Sequence, residues 1–328
     1  MSRVSKPATA TVDAEERFLA QVAWAYHVEG LTQSEVAAKL KVTRLRVNKS
    51  IAEAWRRGMV RISFNTRYAS CADAEAALRE RFGLRRAYVA PSPESPDRVQ
   101  TMVGSALGQF LSERLADPEV RLFGMGWGNT LNLATRFVIP SKRPDQEVVS
   151  VMGGLSRGSD LNSFEITRRL ADLFGASHSY FTAPLYAGNA ESRATIMELA
   201  VFRDHLEKVR SVEAMAVAAG DLSDQSILVR DGLPPGVTEE ELRRRGGVGD
   251  FLGNVIDEDG ERIDHPINDQ VVGLSFEDLR RIDDVILAAG GAHKVPVLAG
   301  LLSTGMVNTL VTDEDTARAV LARAAAGG

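Results

Sequence analysis

Two groups of residues in this chain have types and spacings that could do chemistry. The first lies within TQSEVAAKLKVTRLRVNKSIAEAWRR, residues 32–57. Thr43, Arg44, Leu45, Arg46, Asn48, Lys49 and Arg57 are its candidate contacts. Arginine and asparagine are suited to bidentate hydrogen bonds with guanine and adenine edges. Arg44, Leu45, Asn48 and Lys49 are expected at base edges, with Arg46 and Arg57 on phosphates. The second group lies in four loops: GMGWGNT (124–130), MGGL (152–155), GD (249–250) and GGAHK (290–294). Glycine amides at a helix start can hold an anion. Lys294 at a helix start opposes the macrodipole, which suggests an anionic ligand. Asp250 could accept hydrogen bonds from sugar hydroxyls. Each feature also has a plainer reading: tight turns, an exposed lysine, an aspartate capping a turn. The 124–130 loop is not the dinucleotide fingerprint, because the last glycine of GxGxxG falls on Asn129.

A search for catalytic signatures finds no GxSxG elbow, no Walker A motif and no metal-ligating histidine pair, and the five histidines are scattered. Asp250 and Lys294 could in principle do acid/base work, but no spacing supports it. No catalytic residue, metal or cofactor is expected.

The elements that must position the first group are two short helices and a tight turn. Thr32 and Glu35 fit a capping box. Val36, Ala37 and Leu40 then form one apolar stripe. Lys41-Val42 makes the turn, and Thr43 can cap the next helix. There Val47, Ile51, Ala54 and Trp55 face inward, and the basic residues face out. A helix-turn-helix needs this division; a helical hairpin with a merely solvated basic face is the alternative. Lys41 stands where glycine is usual, so a left-handed conformation there would carry a strain of roughly 1–2 kcal/mol. A first helix over residues 15–28 completes a three-helix head. MVRISF (59–64) alternates like a strand that forms a wing or leads out of the head.

From Asp73 the pattern changes to helices alternating with short apolar runs. Helices are expected over 73–83, 98–116, 129–137, 162–174, 191–208, 238–245, 275–281, 294–303 and 313–325. The apolar runs are 86–90, 120–126, 147–153, 177–183, 211–220, 248–257, 283–291 and 308–312. Several are continuously apolar, as strands buried on both faces are. The fold class expected is an α/β body, doubly wound on a mostly parallel sheet, behind a small all-α helix-turn-helix head. Ligands are then expected at the carboxyl ends of the strands.

The chain has 328 residues, and 44% are hydrophobic. At roughly 100–200 residues per domain this suggests two domains. The expected boundaries are a flexible tail at 1–12, a DNA-binding domain at 13–64, a linker at 65–72 and an effector and oligomerisation domain at 73–328. The single cysteine, Cys71, excludes a disulfide framework and a cysteine-based zinc site, and fits a reducing cytoplasm. The N-terminal residues lack an apolar signal region, and no run reaches the ~18 apolar residues of a membrane span. Residues 1–68 hold 12 Lys+Arg against 6 Asp+Glu, a charge of +6; the rest hold 27 against 38, or −11. A basic head on an acidic body suggests that only the head meets a polyanion.

The sequence resembles the SorC family of bacterial sugar-responsive transcriptional regulators, over most of its length. The head matches in GLTQSEVAAKLKVTRLRVNKSIAEAWRRGMVRISF. The body matches in FGMGWGNTL, VVSVMGGL, ASHSYFTAP and VGDFLGNVIDEDGERIDHPIND, and most specifically in the run from Val271 to Ala317. The resemblance implies a body related in fold to sugar-phosphate isomerases and kept as a sensor without catalysis. It implies homo-oligomers, dimers or tetramers, on palindromic operator DNA. It implies an effector site at Gly124, Gly126, Thr130, Gly153, Gly154, Asp250 and Lys294. Where the family often has an arginine that meets phosphate, this chain has Gln270. The effector expected is therefore a small sugar, a polyol or a sugar monophosphate, not a bisphosphate. A polyol or pentitol operon regulator of the erythritol type is one reading within the family. An isomerase-like enzyme with an appended head is the alternative.

Overall fold

A computed structural model of the chain describes residues 9–60, 69–155 and 162–326. It divides into two compact units, Met1–Asn65 and Thr66–Gly328.

The first unit contains α1 (Thr9–His27), α2 (Gln33–Leu40) and α3 (Arg44–Arg56). The first helix starts at Thr9, so residues 9–12, expected in the tail, are helical; residues 1–8 lie outside the described residues. Val22, Val36 and Val47 are fully buried where the three helices meet, with Ala37 and Ile51 beside them. Ala54 is also fully buried and Trp55 half-buried. The capping box forms: Glu35 N donates to Thr32 Oγ1 at 3.3 Å, and Thr32 N donates to Glu35 Oε2 at 2.7 Å. Thr43 Oγ1 accepts from Arg46 N at 3.2 Å and starts α3. Lys41 is left-handed, with φ 54° and ψ 43°. The turn that separates the two helices therefore carries the expected strain. Most of the strand expected at 59–64 lies outside the described residues, and Met59 and Val60 pack under α1 and α3 without joining a strand.

The second unit begins with α4 (Ala69–Phe82), which takes up the end of the expected linker, and β1 (Arg86–Ala90). Then follow α5 (Val99–Ala116), β2 (Leu122–Met125), α6 (Asn129–Ala134), β3 (Glu147–Ser150), α7 (Ser163–Phe174) and β4 (Ser177–Ser179). The stretch expected as one helix at 191–208 is two, α8 (Ala190–Glu198) and α9 (Ala200–Arg210). Leu199 breaks it with an extended backbone, φ −62° and ψ 129°. The run at 211–220 is likewise two strands, β5 (Ala214–Val217) and β6 (Ala219–Asp221). After α10 (Glu239–Arg244), the run at 248–257 folds as a hairpin, β7 (Gly249–Phe251) and β8 (Asn254–Ile256). Its two-residue turn puts Leu252 at φ 51° and Gly253 at φ 80°, the positive values a primed turn needs. The chain closes with α11 (Phe276–Arg281), β9 (Val285–Ala288), α12 (Val295–Ser303), β10 (Thr309–Asp313) and α13 (Glu314–Ala326).

Among the described residues, seven strands form one parallel sheet in the order β1-β10-β9-β5-β2-β3-β4. Successive residues of β5 and β9 enter opposite cores. Met215, Val217, Val285 and Leu287 face one side, and Ala214, Ala216, Ile286 and Ala288 the other. Burial on both faces explains the continuous apolar runs. The chain leaves β2 towards β3 and leaves β5 towards β9, so the winding reverses between β2 and β5. That crevice is where an open α/β sheet presents ligands. A small antiparallel sheet, β6-β7-β8, stands beside it.

Lys41→Gly is expected to stabilise the head by about 1 kcal/mol, the relieved strain less the added backbone entropy. Urea unfolding followed by tryptophan fluorescence checks this, since Trp24 and Trp55 are both in the head.

Candidate functional site

The outward face of α3 carries Arg44, Leu45, Asn48 and Lys49, all exposed; Leu45 keeps 65% of its surface in water. An apolar side chain held that far out has no packing role in the head. Gln33, at the start of α2, reaches both Asn48 Oδ1 and Arg44 Nε at 3.5 Å. Its place on this face went unnoticed in the sequence because it falls inside the capping box. Arg46 stacks over the Phe18 ring at 4.6 Å. Arg57 is tied to Glu53 at 2.5 Å and to Glu15 at 3.3 Å, and Glu53 also takes Arg56. Hydrogen bonds from Arg56 and then Arg57 hold the Glu53 carboxyl down at about 2. The expected phosphate contact at Arg57 is thus already engaged by carboxylates, which makes it a poorer cation than the sequence suggests.

In the second unit a cavity of about 620 Å³ opens at the reversal point. Its walls come from the ends of β2 (Trp127 to Thr130), β5 (Ala218 onwards) and β9 (Ala289, Gly290), with Asp250 from the small sheet. Lys294, expected as an exposed lysine or an anion holder, is buried. Its ammonium donates to Asp221 Oδ1 at 2.7 Å, and Asp221 is buried as well. Burial pulls the Asp221 carboxyl up, but Lys294 and the hydrogen bonds outweigh it and hold it at about 2. The anion that the lysine at the start of α12 called for is therefore supplied by the chain itself. Asp221 was missed because AVAAGD reads as the end of an apolar strand, and nothing local marks its partner 73 residues away.

Asp250 is buried, and its Oδ2 accepts from Gly253 N at 3.3 Å. Burial is the main cause that raises its carboxyl to about 6; Lys294 works against this and Asp221 with it. Gly220 pairs with Asp250 across β6 and β7. A Cβ on Gly220 would lie 1.8 Å from Asp250 Oδ1, so only a bare backbone admits the carboxylate there. Ser226 is buried against the same point, 3.6 Å from it, and its hydroxyl has no partner among the described residues.

Of the residues expected at this site, Thr130, Asp250 and Lys294 line the cavity. Gly124, Gly126, Gly153, Gly154 and Gln270 are not among its lining residues, and their packing explains why. A Cβ on Gly124 would meet Val151 Cγ1 at 2.6 Å and Met215 Cβ at 2.7 Å, so this glycine lets neighbouring strands close. Gly126 is tight against Ala216 O, Gly153 against Pro184 O and Gly154 against the Phe164 ring. Gln270 ends a 3-10 turn, and its carbonyl accepts from Ala187 N at 2.9 Å. Its side chain lies outside the cavity lining, with Oε1 buried and without a partner among the described residues. Among the described residues no cluster of three histidine, cysteine or acidic side chains is placed to hold a metal.

Lys294→Met should destabilise the second unit by about 3–5 kcal/mol, because it strands a buried carboxylate. Adding Asp221→Leu should recover most of that loss in urea titrations. Asp250→Asn should act in the opposite sense. Its folded value of about 6 lies above the ordinary 3.8, so the folded state holds the proton longer. Stability then falls as pH rises from about 4 to 6, and at pH 7.5 the asparagine variant should gain about 2–3 kcal/mol. The gain should vanish at pH 3.5; a gain independent of pH would show that charge is not its cause.

Comparison with known proteins identifies the family. Residues 66–322 match the family model described as "Putative sugar-binding domain". The chain is 28% identical over 311 residues to the erythritol catabolism regulatory protein EryD of Brucella abortus, covering 94% of this chain and 98% of that one. It is 30% identical over 313 residues to the transcriptional regulator LsrR of Escherichia coli O9:H4, covering 94% and 95%. The full-length sorbitol operon regulator SorC of Klebsiella pneumoniae shares the fold, with a TM-score of 0.67 at 23% identity over 94% of this chain and 99% of that one. These relatives are regulators rather than enzymes. The sugar-binding-domain match over residues 66–322 and the 30% identity to a transcriptional regulator over 94% of the chain place this protein in the SorC-type family of sugar-binding transcriptional regulators.

Proposed function

We propose that this regulator binds operator DNA through α3 and releases or engages it in response to a small sugar, polyol or sugar monophosphate in the cavity of the second unit. The observation that carries this reading is the cavity itself. It lies where winding reverses, and it holds a buried carboxyl at Asp250 beside a buried ammonium at Lys294. Both groups can exchange hydrogen bonds with hydroxyls. The names of two relatives point the same way: one serves erythritol catabolism and one a sorbitol operon.

In the head, Arg44, Asn48 and Lys49 are the base-reading residues of this proposal, with the Leu45 side chain available to a thymine methyl. Thr43 and Arg46 contribute mainly by starting α3 and holding it on α1. Arg57 is demoted to a helix-end clamp. A single head offers one short helix, too little to select one site in a genome. The regulator therefore acts as a homo-oligomer, a dimer or tetramer, with paired heads on half-sites about one turn apart. Its place of action is the cytoplasm, in keeping with a single buried cysteine and with helices none of which, among the described residues, is long and apolar enough to cross a membrane.

Asn48→Ala is expected to cost about 1–3 kcal/mol of operator affinity and to relax base preference at one position. Competition mobility shifts with single-base operator variants check this, and an unchanged preference would remove Asn48 from the interface. Light scattering should show more than one chain per particle at micromolar concentration. A monomer with full operator affinity would exclude the paired-head arrangement.

A further inference from the structure

The effector reading leaves open whether the ligand carries a phosphate. We infer that the cavity takes an uncharged polyhydroxy compound in preference to its phosphate ester, and that Ser226 recognises one of its hydroxyls. This inference rests on the cavity being the effector site.

Charge is the first argument. Among the described lining residues, Asp97, Asp221, Asp224 and Asp250 stand against Arg230 and Lys294. Lys294 is not free to meet a phosphate, whereas Arg230 is about half exposed and only in part engaged. Lys294 is held by Asp221 at 2.7 Å, with both side chains about nine-tenths buried. Arg230 is held by Asp231 at 2.8 Å. The His293 imidazole is kept below its ordinary value by burial and by Lys294, so it adds no charge at neutral pH. A phosphate entering here would displace Asp221 from its only strong partner or sit among carboxylates. Three helix starts reach the cavity, but Asp97 stands just before α5, α6 has only six residues, and the Lys294–Asp221 pair occupies the start of α12.

The second argument is the unpartnered hydroxyl. Ser226 is 5% exposed, and its Oγ makes no hydrogen bond among the described residues. Native proteins rarely leave such a group unmatched, because it forfeits its hydration. Ser226 Oγ and Asp250 Oδ1 converge over the bare backbone of Gly220, on the cavity wall. A hydroxyl can donate to the carboxylate while it, or its neighbour on the next carbon, accepts from the serine. Asp250 needs a donor at this point; the phosphate group of an ester has none as the dianion, so an ester could serve here only through its remaining hydroxyls, which the uncharged compound also offers. The amide pair Asn129 Nδ2 to Gln100 Oε1, at 2.6 Å, lines the same cavity and extends the neutral polar surface.

The test uses the full-length protein, with thermal shift followed by calorimetry. The probes are erythritol, xylitol, D-glucitol, D-ribose and D-fructose, then erythrose 4-phosphate, ribose 5-phosphate, fructose 6-phosphate and inorganic phosphate. At least one uncharged compound should bind, and tenfold or more tighter than its phosphate. Ser226→Ala should weaken that compound about tenfold, while the ligand-free protein melts at the same temperature or higher. That second readout separates recognition from a structural role. A phosphate ester that binds more tightly than its parent, and is weakened by Asp250→Asn, would overturn the inference and leave the site in place. Failure of every uncharged probe would also overturn it. Binding that neither Ser226→Ala nor Asp250→Asn alters would instead remove the cavity as the effector site.

Discussion

The ion pair between Lys294 and Asp221 is the constraint on which the site depends. Two opposite charges about nine-tenths removed from water tolerate each other at 2.7 Å only while both are present. The pair joins the end of β6 to the start of α12, and so fixes the small sheet against the large one. Asp250 then faces the cavity from β7, opposite Gly220, at a position where the neighbouring strand has no side chain to offer. Its carboxyl receives one backbone N–H and no cation of its own, since Lys294 is already taken. A buried carboxyl left in that state costs stability. Such costs are typical of binding sites, where the missing partner arrives with the ligand.

What the sequence made legible follows from how local each signal is. The nine helices expected in the body all have counterparts, because a 3.6-residue apolar period and a cap lie within one window. Breaks inside a run were harder. Leu199 splits one expected helix without glycine or proline, and a leucine, Leu252, takes a left-handed turn position that sequence rules reserve for glycine or asparagine. Leu252 is buried, so packing from elsewhere in the chain holds it there, whereas Leu199 is half exposed and nothing in its surroundings explains the break.

The site residues divide in the same way. Asp250, Lys294 and Thr130 stood out by type and position, and they line the cavity. The glycines did not, because a glycine that admits a ligand and one that admits a neighbouring strand look alike in one dimension. Gly124 belongs to the second kind, with Val151 and Met215 filling the space its side chain would need. Asp221 and Ser226 were invisible for the opposite reason. Their importance comes entirely from partners, or the lack of one, that the chain brings together only on folding. In the head, the division of α3 into inward and outward residues was legible except at Ser50, which is buried, whereas the tethering of Arg57 by Glu15 spans 42 residues and was not.

The order of the large sheet has a consequence for how the protein is made. Strand β1, which opens the second unit, finds its partner in β10, more than two hundred residues later, and β9 separates β10 from the rest of the sheet. The sheet therefore cannot close until nearly the whole chain has left the ribosome. The head is a compact unit of local contacts and is synthesised first. For much of each round of translation, a nascent chain thus carries a complete helix-turn-helix ahead of a sensor that cannot yet exist. A message truncated before Thr309 would yield a protein able to present α3 but unable to complete the domain that governs it.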